Sequence, residues 1–577
     1  MKTTEKMPRF KIHYNKSKPL DLTILEKQYI QTEDDKKNDY NPFHIKQFQN
    51  FQPIYPLYFD MNEQNYNSIC LNHRYHIIDL ETVLDTSDVS ICTKPIFIKY
   101  SPLLDPIRYM IGKYDINNPN FHNLPSLTST DCDKKIAYYN NTAYVDCFFS
   151  FLSSQLLHTH NFKHGIDFYG NYSAVQEKFK MNVSDDIEYL NSSNYFLNNA
   201  GKNFVITNHE SISYFNSNNS RGNKMKINIS NSTNVHNLSN ISVIDIATDN
   251  TNTEFDNENI EQVYLKNKTE KSESTNEEDE EDDVSDTETD TTETSESGSE
   301  SSEETDENEQ DEETEETIDS DDANVEPTIH AYINNFPVQM ICLEKCDGTL
   351  DDLFENNEID AENGASALFQ IIMILIAYQK AFHMTHNDLH TNNIMYVHTN
   401  EDYLYYRFNK INYKVPTYGK IFKIIDFGRS IYKYNGKLFC SDSFAQGGDA
   451  ATQYNFEPFY NQNKPLIEPN YSFDLCRLGC SIYDFIIDDD TDTKEMDELQ
   501  KTILRWCQDD AGKSVLYKKN GEERYPNFKL YKMIARNVHA HTPQAQLSYP
   551  LFSKFSMKNS KNVVGEFMDL DKLPSYV

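Results

Sequence analysis

Two short polar segments, each bordered by apolar stretches, constrain the fold of this chain more than any other feature. The first, residues 383–393, follows a long apolar run that ends at Phe382 and precedes a short one that begins at Ile394. The second begins at Asp426, directly after the mainly apolar stretch Ile421-Phe-Lys-Ile-Ile425. Runs of these lengths predict a helix, a loop and a strand, followed by a second strand that ends at a carboxylate.

The spacing of polar residues in these segments predicts their chemistry. Asp388 precedes Asn393 by five residues on the loop, and Asp426 lies at the end of the next long apolar strand. A carboxylate so placed can orient an acceptor hydroxyl and take its proton. The amide and carboxylate oxygens of Asn393 and Asp426 are suited to Mg²⁺ that bridges nucleotide phosphates. We therefore predict a phosphoryl-transfer site with Asp388 as catalytic residue and with Asn393 and Asp426 as ligands of the metal.

The chain resembles the eukaryotic-type protein kinases through His386-Asn-Asp-Leu-His-Thr-Asn-Asn393 and Asp426-Phe-Gly428. Residues 472–480 are similar to the core helix of that family, in which an aspartate, here Asp474, braces the catalytic loop. The resemblance implies an α+β, bilobal fold with a small, mainly β N-lobe and a larger, mainly α C-lobe. It also implies ATP and Mg²⁺ as cofactors. We expect His386 to be a structural residue that hydrogen-bonds backbone within the loop.

The resemblance extends upstream to residues 338–350, which are similar to the last N-lobe strand and the hinge of a kinase. It implies that Leu343 is the gatekeeper and that backbone groups near Glu344 and Cys346 read the adenine edge.

Lys99 is the best candidate for the lysine that contacts the α- and β-phosphates, because the apolar run 95–98 ends in this single cation. The alternative is a solvated lysine at the end of a strand. In kinases the phosphate-contacting lysine pairs with a glutamate on the next helix, yet no Glu occurs between Glu81 and Glu177 in this chain. Asp146, in the helical stretch 142–157, could substitute with a shorter reach, and Gln155 is a neutral fallback.

No glycine-rich loop precedes Lys99, because the first glycine of the chain is Gly112. Such a loop brings backbone amides close to the phosphates. Either another strand turn covers the phosphates less closely, or nucleotide affinity is weak.

Several residues distinguish the chain from most protein kinases and make it similar to particular groups of kinases. Asn387 replaces the arginine that would pair with a phosphorylated activation loop, so switching by loop phosphorylation is not expected. His390 and the hairpin-like insertion 401–420 resemble haspin, although haspin lacks the intact Asp-Phe-Gly motif. Small-molecule kinases of the aminoglycoside and choline type share the Asp-Leu-His-x-x-Asn pattern. The Asn-, Ile- and Tyr-rich composition resembles kinases of giant DNA viruses, which implies a cytoplasmic viral factory or a virion as the location.

Composition suggests a long acidic insertion. The formal charge is -38, of which residues 271–322 contribute -26, from 27 Asp and Glu against one Lys. We predict disorder over at least residues 250–325, because such a tract buries too little apolar surface to order itself. The tract is either a solvating segment, a site for basic partners, or a cluster of phosphorylatable Ser and Thr. Direct nucleic-acid binding is not expected, since no basic stripe occurs.

Other sequence features exclude further classes. The ten cysteines form no CxxC pair and no zinc spacing with His, so we interpret them as reduced, packed thiols. The apolar run 367–382 is too short for a membrane span and contains Gln and Lys. The predicted organisation is an N-terminal extension (1–75), the first part of the N-lobe (76–172), the insertion (173–327), the last N-lobe strand with the hinge (328–346), and the C-lobe (347–577).

Three functions follow from these observations. The leading one is an ATP-dependent kinase that transfers the γ-phosphate to Ser or Thr of a protein substrate. If the acidic tract binds basic partners, that substrate is a basic protein. The alternatives are a pseudokinase or virion scaffold that binds basic partners, and a kinase of small molecules. Oligomeric state is not predicted.

Overall fold

The fold is of mixed α/β type, and its strands group into several small sheets. The computed structural model describes residues 7–128, 131–207, 328–487, 494–558 and 565–577. The tract predicted to be disordered, 250–325, lies outside the described residues. In chain order the strands are β1 (Tyr14–Lys16), β2 (Ile45–Gln49), β3 (Ile69–Leu71), β4 (Tyr75–Ile77), β5 (Thr82–Asp85), β6 (Ser90–Thr93), β7 (Ile96–Pro102), β8 (Phe168–Asn182), β9 (Phe204–Ile206), β10 (His330–Glu344), β11 (Gly348–Thr349), β12 (Ile394–His398), β13 (Tyr403–Phe408), β14 (Ile411–Pro416), β15 (Lys420–Ile424), β16 (Ile431–Tyr434), β17 (Lys437–Cys440) and β18 (Phe567–Asp569).

The helices are short except for three that are largely buried. In chain order they are α1 (Leu22–Gln28), α2 (Glu33–Lys37), α3 (Pro106–Met110), α4 (Lys134–Ala137), α5 (Thr142–His160), α6 (Ile187–Asn191), α7 (Asn194–Asn199), α8 (Leu350–Glu355), α9 (Ala361–Phe382), α10 (Phe473–Ile486), α11 (Glu498–Trp506), α12 (Lys529–Asn537), α13 (Pro543–Gln546) and α14 (Pro550–Ser553).

The largest sheet has the strand order β2-β8-β10-β7, with β9 also paired to β10. The two central strands, β8 and β10, are antiparallel and almost entirely buried along their apolar residues. Strand β7 pairs antiparallel with β10 and places Lys99 opposite Ile341. In the part of the chain that the structure describes, β7 is an edge strand.

The boundaries of this sheet differ from the prediction in two places. The insertion was predicted to begin at residue 173, yet that residue lies inside β8, and α6, α7 and β9 follow it. The N-terminal extension supplies β2 to the edge of the sheet next to β8, so it is more than an appended arm. The sequence of β2, Ile-Lys-Gln-Phe-Gln, is mostly polar, which is typical of an edge strand.

The two described sides of the insertion meet at one point. The Thr207 amide donates to the His330 carbonyl oxygen, and the His330 amide donates to Thr207 Oγ1, both at 2.9 Å. Strand β9 adds three paired residues at the same place. The chain therefore leaves and re-enters the sheet side by side.

Helix α5 packs against β8 and β10 and is buried along most of its length. It begins where the Asn141 side chain accepts from the Ala143 amide, and it ends at Asn161 in the left-handed conformation (φ 54°). The predicted helix, 142–157, is thus correct and ends three residues early.

Most of the remaining helices follow residue 347. Helix α9 starts at an Asp360 capping box and ends at His383, which has φ 51°, directly before the catalytic-loop segment. By length and hydropathy it is the one described helix that could cross a membrane, but 94% of its most apolar stretch is buried inside the protein. Its apolar surface is therefore used in the core. The predicted hairpin between residues 401 and 420 is present as β13 and β14, and β18 pairs in parallel with β13.

Candidate active site

Strands β12 and β15 bring two of the predicted site residues to the same edge. They pair antiparallel with Ile394 opposite Ile424, and beyond that pair the Ile425 amide donates to the Asn393 carbonyl oxygen at 3.0 Å. Asn393 immediately precedes one strand, and Asp426 follows the other by one residue. Both predicted metal ligands consequently lie at the end of one short ladder.

Asn393 is oriented by the loop itself. Its Nδ2 donates to the Asp388 carbonyl oxygen at 2.9 Å and lies 3.1 Å from His390 Nε2. Because the amide nitrogen is used in this way, Oδ1 is the atom left to bind a cation. A neutral amide oxygen beside the Asp426 carboxylate is a ligand type that Mg²⁺ accepts.

The catalytic-loop backbone is anchored to a single buried carboxylate of α10. The amides of His386 and Asn387 donate to the two oxygens of Asp474 at 2.9 and 2.8 Å. Asp474 is fully buried, and burial raises the pKa of its carboxyl. His386 Nε2 also lies 2.9 Å from the Ile425 carbonyl oxygen. Asp474 and His386 therefore make the contacts expected of the brace and the structural histidine.

Asn387 has a structural environment. It is buried, its Nδ2 donates to the Arg429 carbonyl oxygen at 2.9 Å, and its Oδ1 accepts from the Tyr454 hydroxyl at 2.8 Å. These bonds connect the loop to the segment after the Asp-Phe-Gly motif through neutral groups.

Lys99 forms ion pairs with two carboxylates. Its Nζ lies 2.7 Å from Asp146 Oδ2 and 2.9 Å from Asp426 Oδ1, and only 7% of the side chain is exposed. Burial alone would lower the pKa of Lys99, but the two carboxylates outweigh it and raise the pKa, so the ammonium stays charged. Lys99 is thus not a solvated strand-end lysine.

Asp146 joins this ion pair to the Asp-Phe-Gly segment. Its Oδ1 accepts from the Phe427 amide at 2.8 Å while Oδ2 faces Lys99. Burial raises the pKa of Asp146 against the opposing effect of Lys99. The neutral fallback, Gln155, instead donates to the Asn72 carbonyl oxygen at 3.2 Å. Of the two candidates, Asp146 is therefore the one that pairs with Lys99.

The two aspartates at the centre are both ionised and partly accessible. Burial raises the pKa of Asp388, but Arg429 and other nearby cations reverse this, and the net pKa is lowered. The pKa of Asp426 is lowered in the same way, mainly by Lys99. Asp388 and Asp426 keep 23% and 21% of their side chains exposed. A ligand can reach both.

Two residues that contact or approach Asp388 were not predicted from the sequence to belong to the site. The Tyr531 hydroxyl, on α12, donates to Asp388 Oδ1 at 2.7 Å, and Arg429 Nη1 lies 3.6 Å from Asp388 Oδ2. Arg429 directly follows Asp-Phe-Gly and could have been noticed there. Tyr531 lies outside every motif, so only the three-dimensional structure reveals it.

The predicted hinge residues lie at the end of β10. Leu343 is buried opposite Phe97, and the Glu344 amide donates to the Asp167 carbonyl oxygen at 3.0 Å. The Glu344 side chain points to Lys423, with Oε1 2.5 Å from Nζ. Cys346 is half-buried, and burial raises the pKa of its thiol to about 12. Among the described residues, no acceptor lies within hydrogen-bonding distance of the Cys346 amide.

No described strand pairs with the second edge of β7. The described residues also contain no cluster of three or more His, Cys, Asp or Glu able to bind a metal. A cation at Asn393 and Asp426 would need further oxygen ligands from nucleotide phosphates or water.

Neither a known family model nor a curated protein matches this chain.

Proposed function

We propose that the protein is an ATP- and Mg²⁺-dependent protein kinase that transfers the γ-phosphate to Ser or Thr of a protein substrate. In this proposal residues 45–346 without the insertion form a small β-rich lobe, residues 347–577 form a larger helical lobe, and Asp388 and Asp426 lie at their junction. The observation that carries the proposal is the double ion pair of Lys99 with Asp146 and Asp426.

That ion pair supports the proposal because it connects three distant segments at the point where nucleotide phosphates would bind. Lys99 is a buried permanent cation, which suits it to the α- and β-phosphates. Asp426 is an ionised carboxylate beside the free oxygen of Asn393, which suits the two of them to Mg²⁺. Bound Mg·ATP would supply the transferable phosphoryl group and the cation that neutralises its charge.

Asp388 would orient the acceptor hydroxyl and accept its proton. Its low pKa makes it a weak base, which is sufficient because phosphoryl transfer depends more on positioning and charge neutralisation than on base strength. Asp474 would keep the loop rigid through its two backbone hydrogen bonds. Leu343 and backbone groups near Cys346, whose amide has no described acceptor, would contact the adenine.

The direct test is incubation of the purified full-length protein with γ-labelled ATP, Mg²⁺ and a panel of basic and acidic proteins. We expect labelled phosphoserine or phosphothreonine in at least one acceptor, and none with Asp388→Ala. Label transfer that survives Asp388→Ala would refute the assignment, as would its complete absence from the wild-type protein across the panel.

A pseudokinase or scaffold is the second candidate, because no described strand pairs with the second edge of β7, where a kinase places its phosphate-covering hairpin. The two functions are separable by thermal shift with ATP, with and without Mg²⁺. A shift that requires Mg²⁺ and is lost in Asp426→Ala supports the kinase. Absence of any shift supports the scaffold.

A further inference from the structure

The two carboxylate oxygens of Asp388 have different environments. Oδ1 accepts a hydrogen bond from the Tyr531 hydroxyl at 2.7 Å. Oδ2 has Arg429 Nη1 as its nearest cation at 3.6 Å, which is too long for a hydrogen bond, and Arg429 Nη1 makes no hydrogen bond to the protein. One oxygen is thus engaged and the other is available.

Tyr531 is fixed by its own neighbours. Its ring is 3% exposed and stacks on Phe528 with the centroids 5.5 Å apart. Arg477, on α10, donates through Nε to the Tyr531 oxygen at 2.7 Å, and its guanidinium lies 5.1 Å from the ring centroid. With Arg477 on its oxygen, the Tyr531 hydroxyl hydrogen is directed to Asp388 Oδ1.

In its bond to Asp388 the Tyr531 hydroxyl is the donor, because its oxygen already accepts from Arg477. Burial raises the pKa of Tyr531, so the phenol keeps its proton, and Asp388 is an ionised acceptor because its pKa is lowered. A charge-assisted hydrogen bond of this kind is shorter and stronger than one between neutral groups. It restricts rotation of the carboxylate about its Cβ–Cγ bond.

We propose that Tyr531, held by Arg477, is a positioning residue that fixes the Asp388 carboxylate and leaves Oδ2 as the oxygen that receives the acceptor's proton. This inference rests on the kinase function proposed above. In the transfer, the acceptor oxygen bonds to the γ-phosphorus as the bond from that phosphorus to the β,γ-bridging oxygen breaks and ADP leaves. The acceptor's proton passes to Asp388 Oδ2, and Tyr531 keeps its own proton throughout.

The test compares Tyr531→Phe with Tyr406→Phe in the full-length protein. Both changes remove one buried hydroxyl and keep the ring, but the Tyr406 hydroxyl lies 2.7 Å from His164 Nε2, on the hairpin strand β13. We expect Tyr531→Phe to lower kcat about tenfold with the KM for ATP unchanged, since Lys99, Asn393 and Asp426 are untouched. Tyr406→Phe should leave kcat unchanged.

Arg477→Lys provides the second variant and a double-mutant cycle. Because Arg477 acts through Tyr531, the combined variant should have the kcat of Tyr531→Phe alone. If Tyr531→Phe fails to fold by circular dichroism, Arg477→Lys replaces it and should lower kcat with the KM for ATP unchanged.

The possible results separate the two proposals. An active wild-type protein in which Tyr531→Phe and Tyr406→Phe have equal kcat overturns the positioning role and leaves the kinase function intact. Multiplicative effects in the double variant also overturn it. A wild-type protein without transfer overturns both.

Discussion

The two halves of the candidate site are stabilised by different interactions. The catalytic-loop half depends on backbone amides that donate to one buried carboxylate, Asp474. The Lys99 half depends on side-chain ion pairs among three elements: β7, α5 and the end of β15. Backbone hydrogen bonds tolerate many side chains in the loop, whereas an ion pair requires particular residue types. Activity should therefore be more sensitive to substitution of supporting residues in the Lys99 half than in the loop half. In the loop half, the sensitive residues should be those proposed to take part in the reaction, such as Asp388.

The largest effect is expected from the chemical groups themselves. Asp388→Ala and Asp426→Ala should each lower transfer from labelled ATP by about 10³-fold or more, because they remove the proposed base and a proposed metal ligand. Asp510→Ala, which removes an exposed partner of His539, serves as the control and should retain full transfer. A folded variant with appreciable turnover would show that the substituted aspartate is not essential for transfer.

A smaller loss is expected when the supporting carboxylate of the other half is removed. Asp146→Ala deprives Lys99 of one of two partners and frees the Phe427 amide, so a shift in the position of Lys99 should lower kcat by about 10²-fold. Gln155→Ala, on the same helix, is the matched control and should have wild-type kcat. Equal kcat values for the two variants would contradict the comparison drawn above.

A stability experiment tests the contribution of the buried His164 to the pH dependence of the free energy of unfolding. His164 lies between α5 and β8. Its Nδ1 is 2.7 Å from the Phe422 carbonyl oxygen and its Nε2 is 2.7 Å from the Tyr406 hydroxyl, so it connects this segment to β15 and β13. Burial lowers the pKa of His164 to about 3. Because the unfolded chain binds the proton more tightly, stability is complete above about pH 6.5 and decreases as pH falls towards 3.

At pH 5 this linkage should lower the free energy of unfolding by about 2 kcal/mol relative to pH 7. His164→Gln should reduce that dependence, as measured by urea unfolding monitored by the fluorescence of Trp506. An identical pH dependence in the variant would exclude His164 as the cause.

The smallest effect is expected from the acidic tract. Deletion of residues 271–322 removes a segment that contains none of the proposed site residues, so transfer to a generic acceptor should stay within about twofold of the wild-type rate. A large loss for basic acceptors alone would instead assign the tract a role in binding them.

The loop half could be predicted from the sequence because its spacing is local. Asp388, Asn393 and Asp426 lie in one stretch of the chain, and the apolar strands beside them determine how they converge. The contacts of Lys99 were harder to predict from the sequence, because Lys99 and Asp426 are more than three hundred residues apart and an aspartate, Asp146, stands where a glutamate is expected. Tyr531 and Arg477 could not be predicted, because a hydroxyl on a distant helix has no sequence signal. The boundary at residue 173 was missed because the polar end of β8 resembles the Asn-rich segment that follows it.

The contact between Thr207 and His330 has a consequence for the evolution of this chain. Since the two ends of the intervening segment are hydrogen-bonded to each other, its length has no influence on the distance that it must bridge. Expansion or contraction of the segment changes only a slowly growing closure entropy. Selection can thus replace that region wholesale, or exchange it for an unrelated domain, while the described fold on either side stays as it is.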